Sequence, residues 1–134
     1  MGKGKLPRKR ENKKMKKKLI FLNEEEMKEY YNERLNSYQF WGDDGMACDV
    51  VLKFDFETSA SILCHNLDCI DIKAESINAN NIEACAVNAS DIYCENLDAT
   101  SIKADRIIII NYGSINCMGS IRCSYIKCEK LTNW

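Results

Sequence analysis

This chain is poor in the residues that most often carry site chemistry. His65 is its only histidine and Pro7 its only proline. One histidine cannot make the usual zinc sites, and none of the eight cysteines stands in the close Cys-x-x-Cys spacing that structural zinc prefers. Directly after the basic N-terminal segment the only apolar stretch is Leu19-Ile20-Phe21-Leu22. That is too short for a secretory core and far below the roughly 20 residues that span a bilayer. The expected location is therefore the cytoplasm, where the cysteines stay reduced. Gly113 and Gly119 do not follow a phosphate-loop pattern and suit tight corners better. No cofactor, no metal and no membrane partner are expected.

Charge is present but unevenly placed. Residues 1–18 hold ten cations (Lys3, Lys5, Arg8, Lys9, Arg10, Lys13, Lys14, Lys16, Lys17 and Lys18) against Glu11 alone. The chain as a whole is at −1, so this segment near +9 leaves the other residues near −10. Such dense like charge buries nothing, which predicts a disordered basic arm over 1–18. The arm could neutralise phosphates, contact an acidic protein, fold onto its own acidic body or stay solvated. It contains no aromatic residue, which favours sequence-independent contact over base stacking.

Residues 19–48 read as a helix and loop, a candidate N-terminal cap. Asn23 before Glu24, Glu25 and Glu26 is a good helix start. Met27, Tyr30, Tyr31, Leu35 and Tyr38 recur at three- and four-residue spacing, which predicts a helix through about Ser37. Trp41-Gly42-Asp43-Asp44-Gly45 reads as a loop. Val50, Leu52, Phe54 and Phe56 then alternate with polar residues at the strand period of two.

The remainder, residues 49–134, is organised by a step of five. Ile62, Leu67, Ile72, Ile77, Ile82, Val87, Ile92, Leu97, Ile102 and Ile107 are all aliphatic. Two places after each come Cys64, Cys69, Ala74, Ala79, Ala84, Ala89, Cys94, Ala99, Ala104 and Ile109. Chance would produce the aliphatic series on the order of once in ten million. Neither an α-helix nor a flat strand accepts this period, because both would scatter the large residues over opposite sides. A short strand followed by a corner does accept it, with the large and the small residue both pointing inward. Four such sides would close a coil of about 20 residues, stacked at roughly 4.8 Å. The frame breaks at 106–110, resumes as Ile110/Tyr112 and Ile115/Cys117, and continues through Ile121/Cys123 and Ile126/Cys128 to Leu131. Leu131 and Trp134 are placed to close the far end or to meet a second copy.

An aliphatic residue preceded by Asp, Asn or Ser recurs in Asp71-Ile72, Ser76-Ile77, Asn81-Ile82, Asp91-Ile92, Asn96-Leu97 and Ser101-Ile102. This resembles the pentapeptide-repeat family, although here the small residue follows the large one instead of preceding it. The resemblance covers about half the chain and implies a short parallel β-helix, right-handed and quadrilateral; with the N-terminal helix and arm read above, the expected fold is mainly β. Some proteins of that family are acidic DNA mimics that block topoisomerases, so the resemblance also implies a partner that handles nucleic acid.

The candidate chemistry is sparse. Cys64, Cys69, Cys94, Cys117, Cys123 and Cys128 occupy the small inward position and read as core packing. His65 beside Cys64 could suggest a base and nucleophile, but the two should point in opposite directions. With coils of 20, Asp55, Glu75 and Glu95 would stack in one column and Asp71 with Asp91 in another. That gives either a solvated face or an acidic surface imitating nucleic acid. The expected function is a non-enzymatic inhibitor or regulator that binds a topoisomerase, nuclease or defence complex, with the arm as an electrostatic anchor. Its size and charge would suit a phage-encoded product. The alternative is a structural protein that dimerises or assembles through coil edges, tethered to nucleic acid by the arm.

Overall fold

The computed structural model describes residues 18–43 and 45–133. Lys3 to Lys17 lie outside the described residues, and so do Asp44 and Trp134. The fold is mainly β: strands stack along one axis as a solenoid of about five coils.

The rows of partners reveal the coil. Asn66↔Asn81, Asp71↔Ala86 and Ser76↔Asp91 pair in parallel, and so do Ser61↔Ser76 and Ile62↔Ile77. Each step is 15 residues, or three five-residue sides. The expected quadrilateral coil of 20 is thus replaced by a three-sided one. The inward pairs are as the repeat requires. Ile62, Leu67, Ile72, Ile77, Ile82, Val87, Ile92, Leu97, Ile102 and Ile107 are all buried, as are Ala74, Ala79, Ala89, Ala99 and Ala104. The small residue that follows each large one on every side leaves room for the large residues of the other sides in this narrow triangular section.

Three faces result. Face 1 begins with β1 (Lys18–Phe21), which pairs with β4 (Asp49–Leu52), then β7 (Asn66–Asp68) and the segments 81–84, 96–99 and 114–117. Face 2 runs from β5 (Phe56–Glu57) through 71–74, 86–89 and 101–104 to 121–123. Face 3 runs from β3 (Ser37–Gln39) through β6 (Ser61–Leu63), 76–79, 91–94 and 106–109 to 125–128. Lys18 therefore belongs to the first strand and not to the arm, because Leu19 and Phe21 pack with Val50 and Leu52 below them.

The N-terminal cap differs from the expected long helix. A 3-10 helix covers only Glu24–Tyr30, capped by Asn23, whose side chain accepts the Glu26 N–H at 3.2 Å. β2 (Tyr31–Asn32) then turns back to pair antiparallel with β3, Tyr31 opposite Tyr38. Turn chemistry outcompetes helix here: Asn32 accepts the Leu35 N–H, Asn36 takes φ 49°, and the Tyr31 hydroxyl donates to Asn36 at 2.6 Å. Leu35, which the helical stripe would bury, is exposed. Met27 is fully buried and Tyr30 packs on Phe21 and Phe40, so the segment lies against the first coil.

The frame break also resolves differently. Ile107, Ile109, Ile115 and Cys117 are buried, whereas Tyr112 is 77% exposed. Ile110-Asn111-Tyr112 is thus an outward insertion of three residues and not an inward pair. Asn111 and Tyr112 adopt φ of 54° and 58°. Gly113 brings the chain back at the corner over Glu95, where an added Cβ would sit 1.6 Å from the Glu95 carbonyl oxygen. One more residue enters near Met118, with Gly119 returning over Thr100 through an N–H···O bond of 2.7 Å. The stacking step consequently grows to 19 at Ile102↔Ile121.

Candidate functional site

Outward positions follow the same step, and they sort the surface by chemistry. On face 1, Asp68 stands in register with Glu83, and one further coil brings Asp98. Neighbouring carboxylates are roughly 4.8 Å apart along the axis. Beside them runs a ladder of amides: Asn81 donates to Asn66 at 2.7 Å and Asn96 to Asn81 at 2.8 Å. The oxygen of Asn96 then accepts from the Ser114 backbone N–H. These amides tie consecutive coils together and hold the carboxylates in line. Acid column and amide ladder line a shallow groove of about 360 Å³, with Lys18 and Asp49 at its upper end. None of Asp68, Glu83 and Asp98 forms an ion pair among the described residues.

Face 2 carries Glu57, Lys73, Asn88, Lys103 and Arg122 at the equivalent outward position. Lys73 lies 3.8 Å from Glu57. A wider groove of about 790 Å³ follows this column, with Glu75 and Asp105 along one side. Face 3 presents Leu63, Asn78, Tyr93, Ile108 and Lys127. The three faces are therefore acidic, largely basic and largely apolar.

The acidic residues singled out from the sequence do not assemble as expected. A step of 20 on a coil of 15 advances one coil and one side. Asp55, Glu75 and Glu95 accordingly sit at three different corners. Asp71 begins a face 2 segment, while Asp91 begins a face 3 segment and is engaged by Arg106 at 3.2 Å. Neither proposed column exists, and Asp68, Glu83 and Asp98 take their place. The signal was present in Asn66-Leu67-Asp68, Asn81-Ile82-Glu83 and Asn96-Leu97-Asp98, three near-identical triplets 15 residues apart. Of the ten cations assigned to the basic arm, only Lys18 is described.

Most of the cysteines sit in the core as packing groups, while Cys85 is exposed. No disulfide joins any of the eight. Cys64, Cys69, Cys94 and Cys117 are buried, while Cys123 and Cys128 are partly covered because they belong to the last coil. Burial pushes the Cys69 and Cys94 thiols up to about 12, and Cys64 higher still, so they stay protonated. Cys64 points into the core. His65 instead places Nδ1 2.8 Å from the Asp49 carboxylate, tying a corner to the start of face 1. Among the described residues no group of three or more His, Cys, Asp or Glu could hold a metal ion. No described helix is long and apolar enough to cross a membrane. Compared with known proteins, the chain matches no family model, no curated protein sequence and no solved structure.

Proposed function

We propose that this protein is a non-enzymatic binding protein that offers face 1 to a cationic surface, and that its partner is a protein whose basic site normally receives nucleic acid. The observation that carries the reading is the column Asp68, Glu83 and Asp98, held in line by the amide ladder. One charge per ~4.8 Å of axis approaches the one per ~3.4 Å along a DNA strand. Preorganised charges of this kind favour fast, salt-sensitive encounter with a basic cleft. The cationic arm is the electrostatic anchor of this proposal.

The test is capture of partners from lysate after nuclease treatment, using the parent chain and the variant Asp68→Asn/Glu83→Gln/Asp98→Asn. The reading expects a nucleic-acid-handling protein that the parent retains, the variant releases, and a DNA duplex displaces. Equal capture by parent and variant would sink it.

A second reading, assembly through the coil end, is favoured by the last coil. Ile121, Cys123, Ile126 and Cys128 line it only partly covered, and Leu131 is exposed. An open apolar coil edge invites pairing. Light scattering across a hundredfold concentration range would show growth in mass under this reading and a constant mass under the first.

A further inference from the structure

We propose that the N-terminal cap carries a separate binding site, an aromatic-walled cavity at the head of face 3 that receives an arginine side chain from a partner protein. The cavity shares no lining residue with the face 1 groove, so it stands or falls independently of the reading above.

The cavity has a volume of about 660 Å³ and lies among the end of the 3-10 helix, β2, the outward Gln39 of β3 and the loop that follows Phe40. Ordinary small-ligand sites measure ~300–1,000 Å³. Tyr30, Tyr31 and Trp41 supply its rings. Each is fixed from behind. Tyr30 packs on Phe40 with ring centroids 5.2 Å apart, and Tyr31 on Tyr38 at 5.0 Å, while the Tyr31 hydroxyl donates to Asn36. Trp41 is bridged antiparallel to Ala47, and the Gly42 N–H donates to the Met46 carbonyl at 2.8 Å. Trp41 nevertheless stays 46% exposed and Tyr31 38% exposed. Large rings held in the open around a hollow forgo the burial that aromatic residues usually gain on folding. Because they are already ordered, they lose little further freedom when a ligand covers them.

Electrostatics selects the occupant. Glu29, Glu33 and Asp43 stand beside the rings, and Arg34 is the only cation among the described lining residues. None of these four forms an ion pair among the described residues. Ring faces carry negative partial charge, so rings and carboxylates together attract a cation. A guanidinium meets the whole arrangement: it is weakly hydrated, stacks flat on an aromatic face and pairs with a carboxylate through its rigid fork. A lysine ammonium offers the charge without the stacking and holds its water more tightly in a cavity this open.

The probe is an end-blocked Gly-Arg-Gly peptide titrated into the isotope-labelled full chain and followed by NMR. The Trp41 indole N–H, identified by its absence in Trp41→Phe, and the amides of residues 29–34 and 41–43 are the reporters. They should shift saturably, and the uncharged isostere Gly-citrulline-Gly should bind at least about tenfold more weakly. Trp41→Ala should weaken binding about fivefold or more, whereas Trp41→Phe should stay within about threefold of the parent. Glu33→Gln/Asp43→Asn alters exposed side chains only, so it tests the site without endangering the fold. It should weaken binding about fivefold and remove most of its salt dependence. The face 1 variant Asp68→Asn/Glu83→Gln/Asp98→Asn should give the parent's shifts at these reporters. Absence of saturable shifts, equal binding of the citrulline peptide, or unchanged affinity in Glu33→Gln/Asp43→Asn overturns the site and leaves face 1 untouched. Equal or tighter binding of Gly-Lys-Gly overturns the assignment to arginine.

Discussion

Substituting Ile92 by Asp tests the inward assignment most severely. Ile92 is 1% exposed, on a face 3 side that packs against face 1 and face 2 residues of the same core. Losing its apolar burial costs ~1.5–3 kcal/mol. Placing a carboxyl there adds at least ~1–3 kcal/mol even when it takes up a proton, because no partner lies within a core of Ile, Ala and Cys. The sum, on the order of 3–6 kcal/mol, compares with a total stability of ~5–15 kcal/mol for a domain of this kind. Thermal unfolding followed by circular dichroism should therefore fall by more than about 10 °C or lose its cooperative transition. The pH dependence has a definite sign. Burial raises the folded-state pKa of the new carboxyl above its unfolded value of ~3.9, so the deficit should be smallest near pH 4 and grow as pH rises toward the folded pKa. Asn78→Asp is the control, since Asn78 is exposed on the outward position of the same face and should shift stability by no more than ~0.5 kcal/mol. If Ile92→Asp melted like the parent, or if the two variants behaved alike, the inward series would be misassigned.

Four further outcomes follow from the same geometry. Asn81→Ala removes both amide bonds that join it to Asn66 and Asn96, and urea unfolding should show a loss of roughly 1 kcal/mol, partly recovered when Asn66 and Asn96 are also replaced. Gly113→Ala drives a Cβ into the Glu95 carbonyl and should cost ~1–3 kcal/mol, with amide shifts confined to residues near 95 and 113; unchanged stability would refute the corner stacking. Because the Cys69 and Cys94 thiols are pushed up to about 12 by burial, stability should be complete below pH 9 and decline as pH rises toward 12, by up to about 1.4 kcal/mol per pH unit for each thiol. Thiol alkylation of the native protein at pH 8 should accordingly label the exposed Cys85 first and leave Cys69 and Cys94 unmodified until unfolding.

The inner surface of the molecule was legible in the sequence because burial acts residue by residue. Each large aliphatic residue and the small one two places later lose water contact wherever the coil goes, so the period of five appears without knowledge of any partner strand. The corner role of Gly113 and Gly119 was readable for a similarly local reason. The helix was read too long because Tyr30, Tyr31 and Tyr38 fit a helical stripe, whereas Asn32 turns the chain through the Leu35 N–H and Asn36 reaches down to Ser59 of the first coil.

The acidic site depended on a quantity that no single repeat contains. A five-residue side is compatible with three or four corners per coil, and the angle at each corner is settled by how the inward residues of all sides pack together. Pairing at a step of 15, visible in Asn66↔Asn81 and Asp71↔Ala86, shows that these Ile, Leu, Ala and Cys side chains fill a triangle. That one number decides which carboxylates are neighbours: it scatters Asp55, Glu75 and Glu95 over three corners and brings Asp68, Glu83 and Asp98 into line. Local hydrophobicity, legible along the chain alone, sets what points inward. What stands beside what on the outside emerges only when the coil closes, because stacking register is a property of the closed coil.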